Sequence, residues 1–543
     1  MKFISFLNKN KYYILFLIYG LLIFTYPMLV SGFDLMPGDG LDAKSQGYIL
    51  EHTFQWLIGT PKHEHFWTAP FYFPYKNNIA FSDSLMGICP VYWIFRIFFQ
   101  PLSTFQATFI ALSILNYTTF YYLLKKVFRF SSLASSMGSF IFAFGLMRFF
   151  RSIHLNYYSQ FYTILGLIFL FKINKKNSLL KNNIYFFLSA SSIAMQFYSC
   201  YTLGWGFCVL FFTGVLFSLC FGETRKKIFN FFKDFYKLLI IYFIVFIILL
   251  IPFAVIYLDL NLVRTMDDVV VYLQDPFCWI RSLSRFDNLF LKDVPYVNFY
   301  ECGETTASSG IFTTIFALIG LWFSGKIAKT KGLRWVLYFS LALIFFMSCT
   351  VGTFFMWNFL YYIIPGIQGI RAIVRISFIA LIIISFGVAY YTDNLQIKKL
   401  KHKIILIISF ILILIEQIPF YSDPNSFYAT YNWSKSVFQK QIAEEVKQIP
   451  DNYDVLEFNY QTILTKQYST SKLKEKGYTS SASLNALAMW ASLNKNMYTV
   501  NGLSGVGKDG LPINPALRVY EKTFVFNLDK FVIRKYLLEN KME

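Results

Sequence analysis

Runs of apolar residues as long as a lipid bilayer is thick recur through this 543-residue chain, and no other feature restricts its fold so severely. About 20 apolar residues cross a hydrocarbon core of about 30 Å as a helix. Inside that core every backbone amide and carbonyl must find its partner within the protein, which makes helices the solution for runs of this length. Eleven segments qualify. They are Tyr12–Val30, Phe105–Leu124, Ser132–Met147, Leu155–Ile173, Ile184–Cys200, Thr202–Phe221, Phe235–Leu258, Gly310–Ser324, Trp335–Val351, Ile373–Thr392 and Ile404–Phe420. The chain therefore reads as an α-helical polytopic membrane protein with about 11 transmembrane helices.

Composition agrees: 56% of residues are hydrophobic and 15% charged, against about 25% charged in a soluble domain. The net charge of +20 would suggest nucleic acid in a soluble chain. Its distribution excludes that partner. Six short segments outside the spans hold 23 basic residues against three acids, Asp234 within them and Glu223 and Asp393 flanking them. These segments are Lys2–Lys11, Lys125–Arg129, Lys172–Lys181, Arg225–Lys237, Lys326–Arg334 and Lys398–Lys403, and their excess equals the whole net charge. That is a positive-inside signal. It sets orientation in the membrane and predicts no polyanionic partner. With a cytoplasmic N-terminus, all six segments face the cytoplasm of a bacterial cell and the C-terminus lies outside. Tyr12–Val30 resembles a signal-peptide core, but its length and its lack of a small-x-small cleavage site make it an uncleaved first span.

Asp83–Gln100 breaks the alternation. It is apolar but short, with Pro90 inside it and Arg96 near its end. Arginine at mid-bilayer costs at least ~2.5–3.5 kcal/mol on insertion scales, so an interfacial or re-entrant helix on the outer face is expected. The alternative is a short tilted span with one later segment failing to cross. The chain then divides into a transmembrane domain, residues 1–420, and a C-terminal extracytoplasmic α+β domain, residues 421–543. The first carries outer loops at residues 31–100 and 259–308. In the tail, SKSVFQKQIAEEVKQ has a helical pattern and YDVLEFNY a strand-like one. Cys278 and Cys302 share the middle outer loop, where an oxidising exterior permits a bridge.

The stretch MPGDGLDAKSQGYILEH, Met36 to His52, holds two aspartates just beyond the first span. Asp39 and Asp42 stand at the start of a helical run, with Gly38 and Gly40 suited to a tight turn. Helix capping explains them structurally. The functional alternative is a general base that takes the proton of an attacking hydroxyl. Asp83 has the same two readings, as a cap of the interfacial helix or a site residue. His63-Glu64-His65 fits no helical metal motif and reads as a solvated loop. Arginines at outer span ends run against the positive-inside bias: Arg148, Arg151 and His154 where the third span emerges, Arg371 and Arg375 before the tenth. Spaced four apart, Arg371 and Arg375 would share a helix face. Headgroup snorkelling accounts for them, as does bidentate binding of a lipid-carrier phosphate. In the tail, Gly502 and Gly507-Lys508 fall one residue short of a P-loop, and Asp509 stands where Ser or Thr would hold magnesium, so nucleotide binding is excluded. Asn432-Trp433-Ser434 is a glycosylation sequon, meaningful only in a host that uses it.

The order of PGDGLDA, FPYKNNIAFSDSLMG, FAFGLMRFFRSIHLNYYSQ, GIRAIVRISF and VNGLSG resembles the GT-C superfamily of integral membrane glycosyltransferases, and more narrowly a group of bacterial multispan proteins of that type. The resemblance implies a GT-C-like fold and sugar transfer on the outer side, from a polyprenyl-phosphate-linked donor to a cell-envelope glycan or glycolipid. It implies a catalytic acid in the first outer loop, Asp39 or Asp42. Arg148, Arg151, His154, Arg371 and Arg375 become candidates for the donor phosphate, and Tyr75, Asp83, Asn501 and Gly502 for acceptor or sugar. Part of the superfamily uses a divalent cation. PGDGLDA contains no Asp-x-Asp or Asp-Glu pair, so the metal is left open. Two rival classes stand beside this one: a transporter or lipid flippase, and a non-catalytic envelope-assembly protein. Transporters place ionisable residues at mid-membrane. These spans hold almost none apart from Glu416, near an outer end.

Overall fold

The computed structural model describes residues 2–260, 263–280, 306–327, 331–352, 354–395, 400–419, 431–459, 481–502 and 523–527. In chain order its first helices are α1 (Lys2–Val30), α2 (Asp42–Leu57), α3 (Cys89–Arg96), α4 (Pro101–Tyr122), α5 (Ser132–Phe144) and α6 (Leu146–Phe149). Next come α7 (Phe161–Lys172), α8 (Leu179–Ser199), α9 (Tyr201–Ser218), α10 (Gly222–Asp259), α11 (Met266–Val270) and α12 (Ile311–Ile327). The last are α13 (Lys331–Ser348), α14 (Trp357–Ile363), α15 (Ser377–Asn394), α16 (Leu400–Glu416), α17 (Lys435–Val446) and α18 (Ser481–Asn494). Each of the eleven apolar segments carries a helix. Among the described residues six helical stretches are long and apolar enough to cross a bilayer: Asn10–Val30, Pro101–Val127, Ser132–Phe149, Tyr201–Ser218, Gly222–Asp259 and Ile373–Asn394. This is a mostly helical, membrane-embedded protein. The segment expected at Leu155–Ile173 is less regular, a 3-10 stretch over Leu155–Gln160 followed by α7.

Two compact units divide the chain. The first comprises Met1–Tyr26, Phe109–Arg151 and Asn156–Ser422; the second comprises Pro27–Thr108, Ser152–Leu155 and Asp423–Glu543. The segment at residues 31–100 thus belongs with the tail.

The first unit is organised around α15, whose residues are buried almost throughout. Glycines let its neighbours approach to backbone contact. A β-carbon on Gly320 of α12 would collide with the Gly387 carbonyl oxygen of α15, and one on Gly387 would lie 2.5 Å from the Ala317 carbonyl oxygen. Across α15, a β-carbon on Gly138 of α5 would sit 2.9 Å from the Ser385 carbonyl oxygen. Small residues at such crossings replace the hydrophobic drive that lipid cannot supply. The polar ends are also closed. Glu416, fully buried, accepts from the Phe312 N–H at 2.8 Å, the Thr313 N–H at 2.9 Å and the Thr313 hydroxyl at 2.8 Å. It caps α12 from another helix, a negative charge at a helix N-terminus. Gly310, at φ +98, leaves no room for a β-carbon against that carboxylate. Gln417 accepts from the Leu146 N–H at 2.8 Å and donates to the Ser309 carbonyl at 2.9 Å. Cys278 is disulfide-bonded, and Cys89, Cys200, Cys208, Cys220 and Cys349 are free thiols. Cys302 lies outside the described residues.

The second unit contains α2, α3, α17, α18 and a three-stranded parallel sheet of β1 (Val455–Asn459), β2 (Tyr498–Thr499) and β3 (Thr523–Asn527), in the order β2-β1-β3. Val455 pairs with Tyr498 on one side and Thr523 on the other. The helix and strand expected in the tail are α17 and β1. The first loop extends the sheet: Thr499 N–H donates to the Pro70 carbonyl at 2.7 Å and Phe73 N–H to the Thr499 carbonyl at 2.9 Å. The segment expected to lie at the interface forms α3, only eight residues. At 1.5 Å per residue that is about 12 Å, too short to cross. Arg96 pairs with Glu51, a residue the sequence did not suggest, through Nε to Oε2 at 2.8 Å and a second nitrogen to Oε1 at 3.1 Å. The Tyr92 hydroxyl donates to Glu51 at 2.7 Å. Asp83 does not cap α3: the helix begins at Cys89, and its N-cap Ile88 has no side-chain cap.

Glu416→Ala strands the buried amides of Phe312 and Thr313, each worth about 1–3 kcal/mol when left unpartnered. Gly387→Ala forces α12 and α15 apart. Both variants should melt below wild type in a detergent thermal-unfolding assay, while Asp267→Ala, at an exposed position, should not. Unchanged melting of both variants would refute the packing described.

Candidate functional site

The chain from Met36 to Asp42 makes a turn with one obligatory glycine. Gly38 has φ +83, and a β-carbon there would lie 2.7 Å from the Ala43 β-carbon and 3.0 Å from the Ser152 carbonyl oxygen. Only glycine combines that conformation with that lack of space. Gly40 is not so constrained, since its nearest neighbour would be at an ordinary 3.6 Å. The turn delivers Asp39 to the start of α2. Its Oδ1 accepts from the Leu41 N–H at 3.1 Å and the Ala43 N–H at 3.3 Å. Asp39 therefore caps the helix, from two residues before the geometric N-cap Leu41, which has no side-chain cap of its own.

Capping does not exhaust its chemistry. Asp39 is 7% exposed. Burial, and then the charge of Asp42, push its carboxyl up to about 7 against the opposing pull of the backbone amides. A carboxyl that titrates near neutral pH is suited to general base work: ionised often enough to act, basic enough to accept a proton.

Lys44 lies beside it and escaped the sequence reading. Its ammonium stands 4.1 Å from the Phe438 ring centroid and 5.2 Å from that of Trp433. The residue is 6% exposed, and its ammonium makes no hydrogen bond or ion pair among the described residues. Burial pulls its pKa down to about 8, while the Asp39 charge acts the other way. One sequence signal was available: a lysine in the first turn of a helix opposes the partial positive charge there. Trp433 and Phe438 come from the tail, and no local pattern announces them. Backbone bonds hold that segment in place, Met36 N–H to the Trp433 carbonyl at 3.1 Å and Tyr431 N–H to the Gly38 carbonyl at 3.0 Å. The Trp490 indole donates to the Lys44 carbonyl at 3.0 Å. The sequon is part of this structure: the Ser434 hydroxyl donates to Asp34 at 2.5 Å and accepts from the Val437 N–H at 3.2 Å, capping α17.

Asp42, the first residue of α2, faces outward with its side chain 44% exposed. Its Oδ2 lies 3.3 Å from Nδ1 of His154. The segment carrying His154 is fastened by the Leu155 N–H, which donates to Gln46 Oε1 at 2.7 Å. Asp39, Asp42, Lys44 and His154 thus gather at one helix start.

The remaining expected residues are placed differently. Arg148 is fully buried and commits its guanidinium to the Phe142 carbonyl at 2.8 Å, the Tyr157 carbonyl at 2.8 Å and Gln160 Oε1 at 2.6 Å. In this structure it ties segments together. Arg151 is also buried and donates to the Thr306 carbonyl at 3.3 Å. Arg371 and Arg375 do not share a helix face, because Arg371 precedes the helical turn that carries Arg375, which begins at Ile373. Arg375 lies over Tyr157. Arg371 lies 5.2 Å from the Tyr272 ring centroid, and its charge, after burial, lowers the pKa of the Arg264 guanidinium. Both arginines act on Asp268, whose pKa is lowered first by hydrogen bonds from Thr265. Arg264 is thus a second unanticipated cation beside an expected one.

Asn501 uses its side chain as strand backbone would, accepting from the Phe458 N–H at 2.7 Å and donating to the Phe458 carbonyl at 3.2 Å. Gly502 is required by the Tyr72 ring, 2.6 Å from where a β-carbon would be. Its loop at residues 503–510 lies outside the described residues. Tyr75 and Asp83 are half-buried, Tyr75 with its ring edge toward Phe81. His63 does not sit in a solvated loop. It is 2% exposed, with Nδ1 2.7 Å from Nδ1 of the buried His52, while Glu64 and His65 are exposed. Burial depresses His52 to about 4 and His63 to about 3. Among the described residues no three His, Cys, Asp or Glu side chains form a group able to hold a metal ion.

No protein-family model matches the chain, and no curated protein matches it.

The raised Asp39 pKa has a consequence for stability. The folded state holds this proton more tightly than the unfolded chain, whose carboxyl has the ordinary value near 3.8. The contribution is therefore full below about pH 4 and is lost as pH rises through about 7. Detergent-purified wild type should lose thermal stability across that interval, and Asp39→Asn should flatten the loss. An identical pH slope in both proteins would contradict the assignment.

Proposed function

We propose that this protein is an integral-membrane glycosyltransferase of GT-C type, with about eleven spans and an outward-facing tail. It moves a sugar from a polyprenyl-phosphate-type donor to an extracytoplasmic acceptor, a cell-envelope glycan or glycolipid. The observation that carries the proposal is Asp39, a buried carboxyl raised to about 7 beside the unpaired Lys44 ammonium. In this reading Asp39 takes the proton of an acceptor hydroxyl while that oxygen bonds to the anomeric carbon. The bond from that carbon to the carrier phosphate breaks, and the phosphate leaves with the electron pair. The configuration inverts. Lys44 favours the ionised form of Asp39, and the exposed Asp42, paired with His154, is the second candidate for the base. The aromatic rings of Trp433 and Phe438 suit a sugar face.

The transporter reading is weaker on one observation. Glu416, the ionisable residue a transport path would most readily use, is fully committed to capping α12.

Proteoliposomes supplied with radiolabelled polyprenyl-phosphate sugars test the proposal. Carrier-dependent transfer to glycolipid supports the enzyme, and movement of the label across the bilayer without transfer supports a transporter. Asparagine caps helices as well as aspartate does, so Asp39→Asn should keep the fold and lose about 10²–10⁴-fold in rate. Wild-type rate should climb with pH and level off near 7. Lys44→Met should move that limb to higher pH. Full activity in both Asp39→Asn and Asp42→Asn would end the base assignment.

A further inference from the structure

Helix α10 is 38 residues long, about 57 Å at 1.5 Å per residue. Leu238 to Leu258 contains no charged residue, and its 21 residues span about 31 Å, matching a hydrocarbon core. The preceding part, Gly222 to Lys237, is therefore surplus to crossing. It is strongly basic, with Arg225, Lys226, Lys227, Lys233 and Lys237 against Glu223 and Asp234.

That surplus has two distinct sides. On one, Phe231, Phe235, Leu238 and Tyr242 pack against Ile173 and Phe186. Asp234 pairs with Lys175 at 2.7 Å. The opposite side has no partner in the described structure. Phe229, Phe232 and Tyr236 are 59%, 49% and 52% exposed, and their spacing of three and four places them in one stripe. Lys226, Lys233 and Lys237, spaced seven and four, form a second stripe beside it, with Arg225 alongside. All four are exposed. The side chains of Arg225, Lys226 and Lys233 make no hydrogen bond or ion pair among the described residues. Exposed aromatic rings next to cationic side chains, continuous with the uncharged run Leu238 to Leu258, match the two-layered chemistry of a headgroup zone. Rings enter the interface and cations meet phosphate.

We infer that this face of α10, formed by Phe229, Phe232 and Tyr236 with Arg225, Lys226, Lys233 and Lys237, binds anionic phospholipid headgroups. The ligand is a diacyl phosphate monoester or diester of the bulk membrane. Its fatty chains run beside Leu238 to Leu258, and its phosphate meets the lysine stripe. The inference does not depend on the proposed transferase activity.

The test uses the full chain in nanodiscs containing either phosphatidylglycerol or phosphatidylcholine, with native mass spectrometry counting retained lipid. Wild type should retain phosphatidylglycerol preferentially, and rising salt should erase the preference. A Lys near an anionic surface is worth roughly fivefold in affinity, so the triple variant Lys226→Gln, Lys233→Gln, Lys237→Gln should lose on the order of 10²-fold for phosphatidylglycerol and nothing for phosphatidylcholine. Should the triple variant fail to fold, Lys233→Gln alone and the wild-type salt series still decide. Equal retention of both lipids by wild type, or a preference insensitive to salt and to Lys233→Gln, overturns the inference. So does loss in the variant of a stoichiometric acidic protein with lipid retention unaffected.

Discussion

The membrane unit depends on a contact between backbones. Gly320 of α12 and Gly387 of α15 leave out the side chains that would otherwise hold those helices apart, and Gly138 of α5 does the same on the far side of α15. In lipid, apolar side chains gain nothing by leaving their surroundings, so tight packing and satisfied polar groups must supply the cohesion. The buried polar ends follow from the same constraint. With α12 fixed against α15, its first amides are closed by Glu416 and the neighbouring segment by Gln417. The ionisable side chain that stood out among the spans in sequence is a fixed component of the scaffold.

The second unit solves another problem, keeping ionisable groups dry in three different ways. Glu51 is buried but answered by Arg96 and Tyr92. His52 and His63 are buried as a neutral pair that shares one hydrogen bond. Asp39 and Lys44 differ from both. Among the described residues the Asp39 carboxylate meets backbone amides, and the Lys44 ammonium meets aromatic faces. Each is pushed toward its neutral form, so both titrate near physiological pH. Functional sites keep such groups, because reactivity near neutrality requires them. Capping and proton transfer are compatible uses of one aspartate: Oδ1 is spent on the amides, and the raised pKa belongs to the whole carboxyl.

What could be read from the sequence had a local cause. Apolar runs gave helices because backbone satisfaction in lipid allows little else. Asp39 was recognised at a helix start because capping is a matter of adjacent residues, and Gly38 because a tight turn needs its conformation. Within SKSVFQKQIAEEVKQ and YDVLEFNY, whose periodicities were legible, lie α17 and β1. Where an expectation depended on a helix reaching a particular residue, it failed. Asp83 is six residues too early for α3, and Arg371 precedes the helix that would have aligned it with Arg375. His63 was placed in solvent because nothing near it in sequence buries it; His52, eleven residues away, does.

Sequence by itself determined the class of molecule, the helical segments and the position of two aspartates at the start of α2, since each follows from composition or from residues a few places apart. Tertiary structure alone decided what those aspartates became. Nearly four hundred residues separate Lys44 from Trp433 and Phe438, and only folding brings those rings over its ammonium. The Asp42 contact with His154 crosses more than a hundred residues in the same way. Desolvation is a property of everything packed around a group, whatever its distance along the chain, so the largest cause of the pKa of about 7 at Asp39 had no local signature, and only the lesser push from Asp42 could be read nearby.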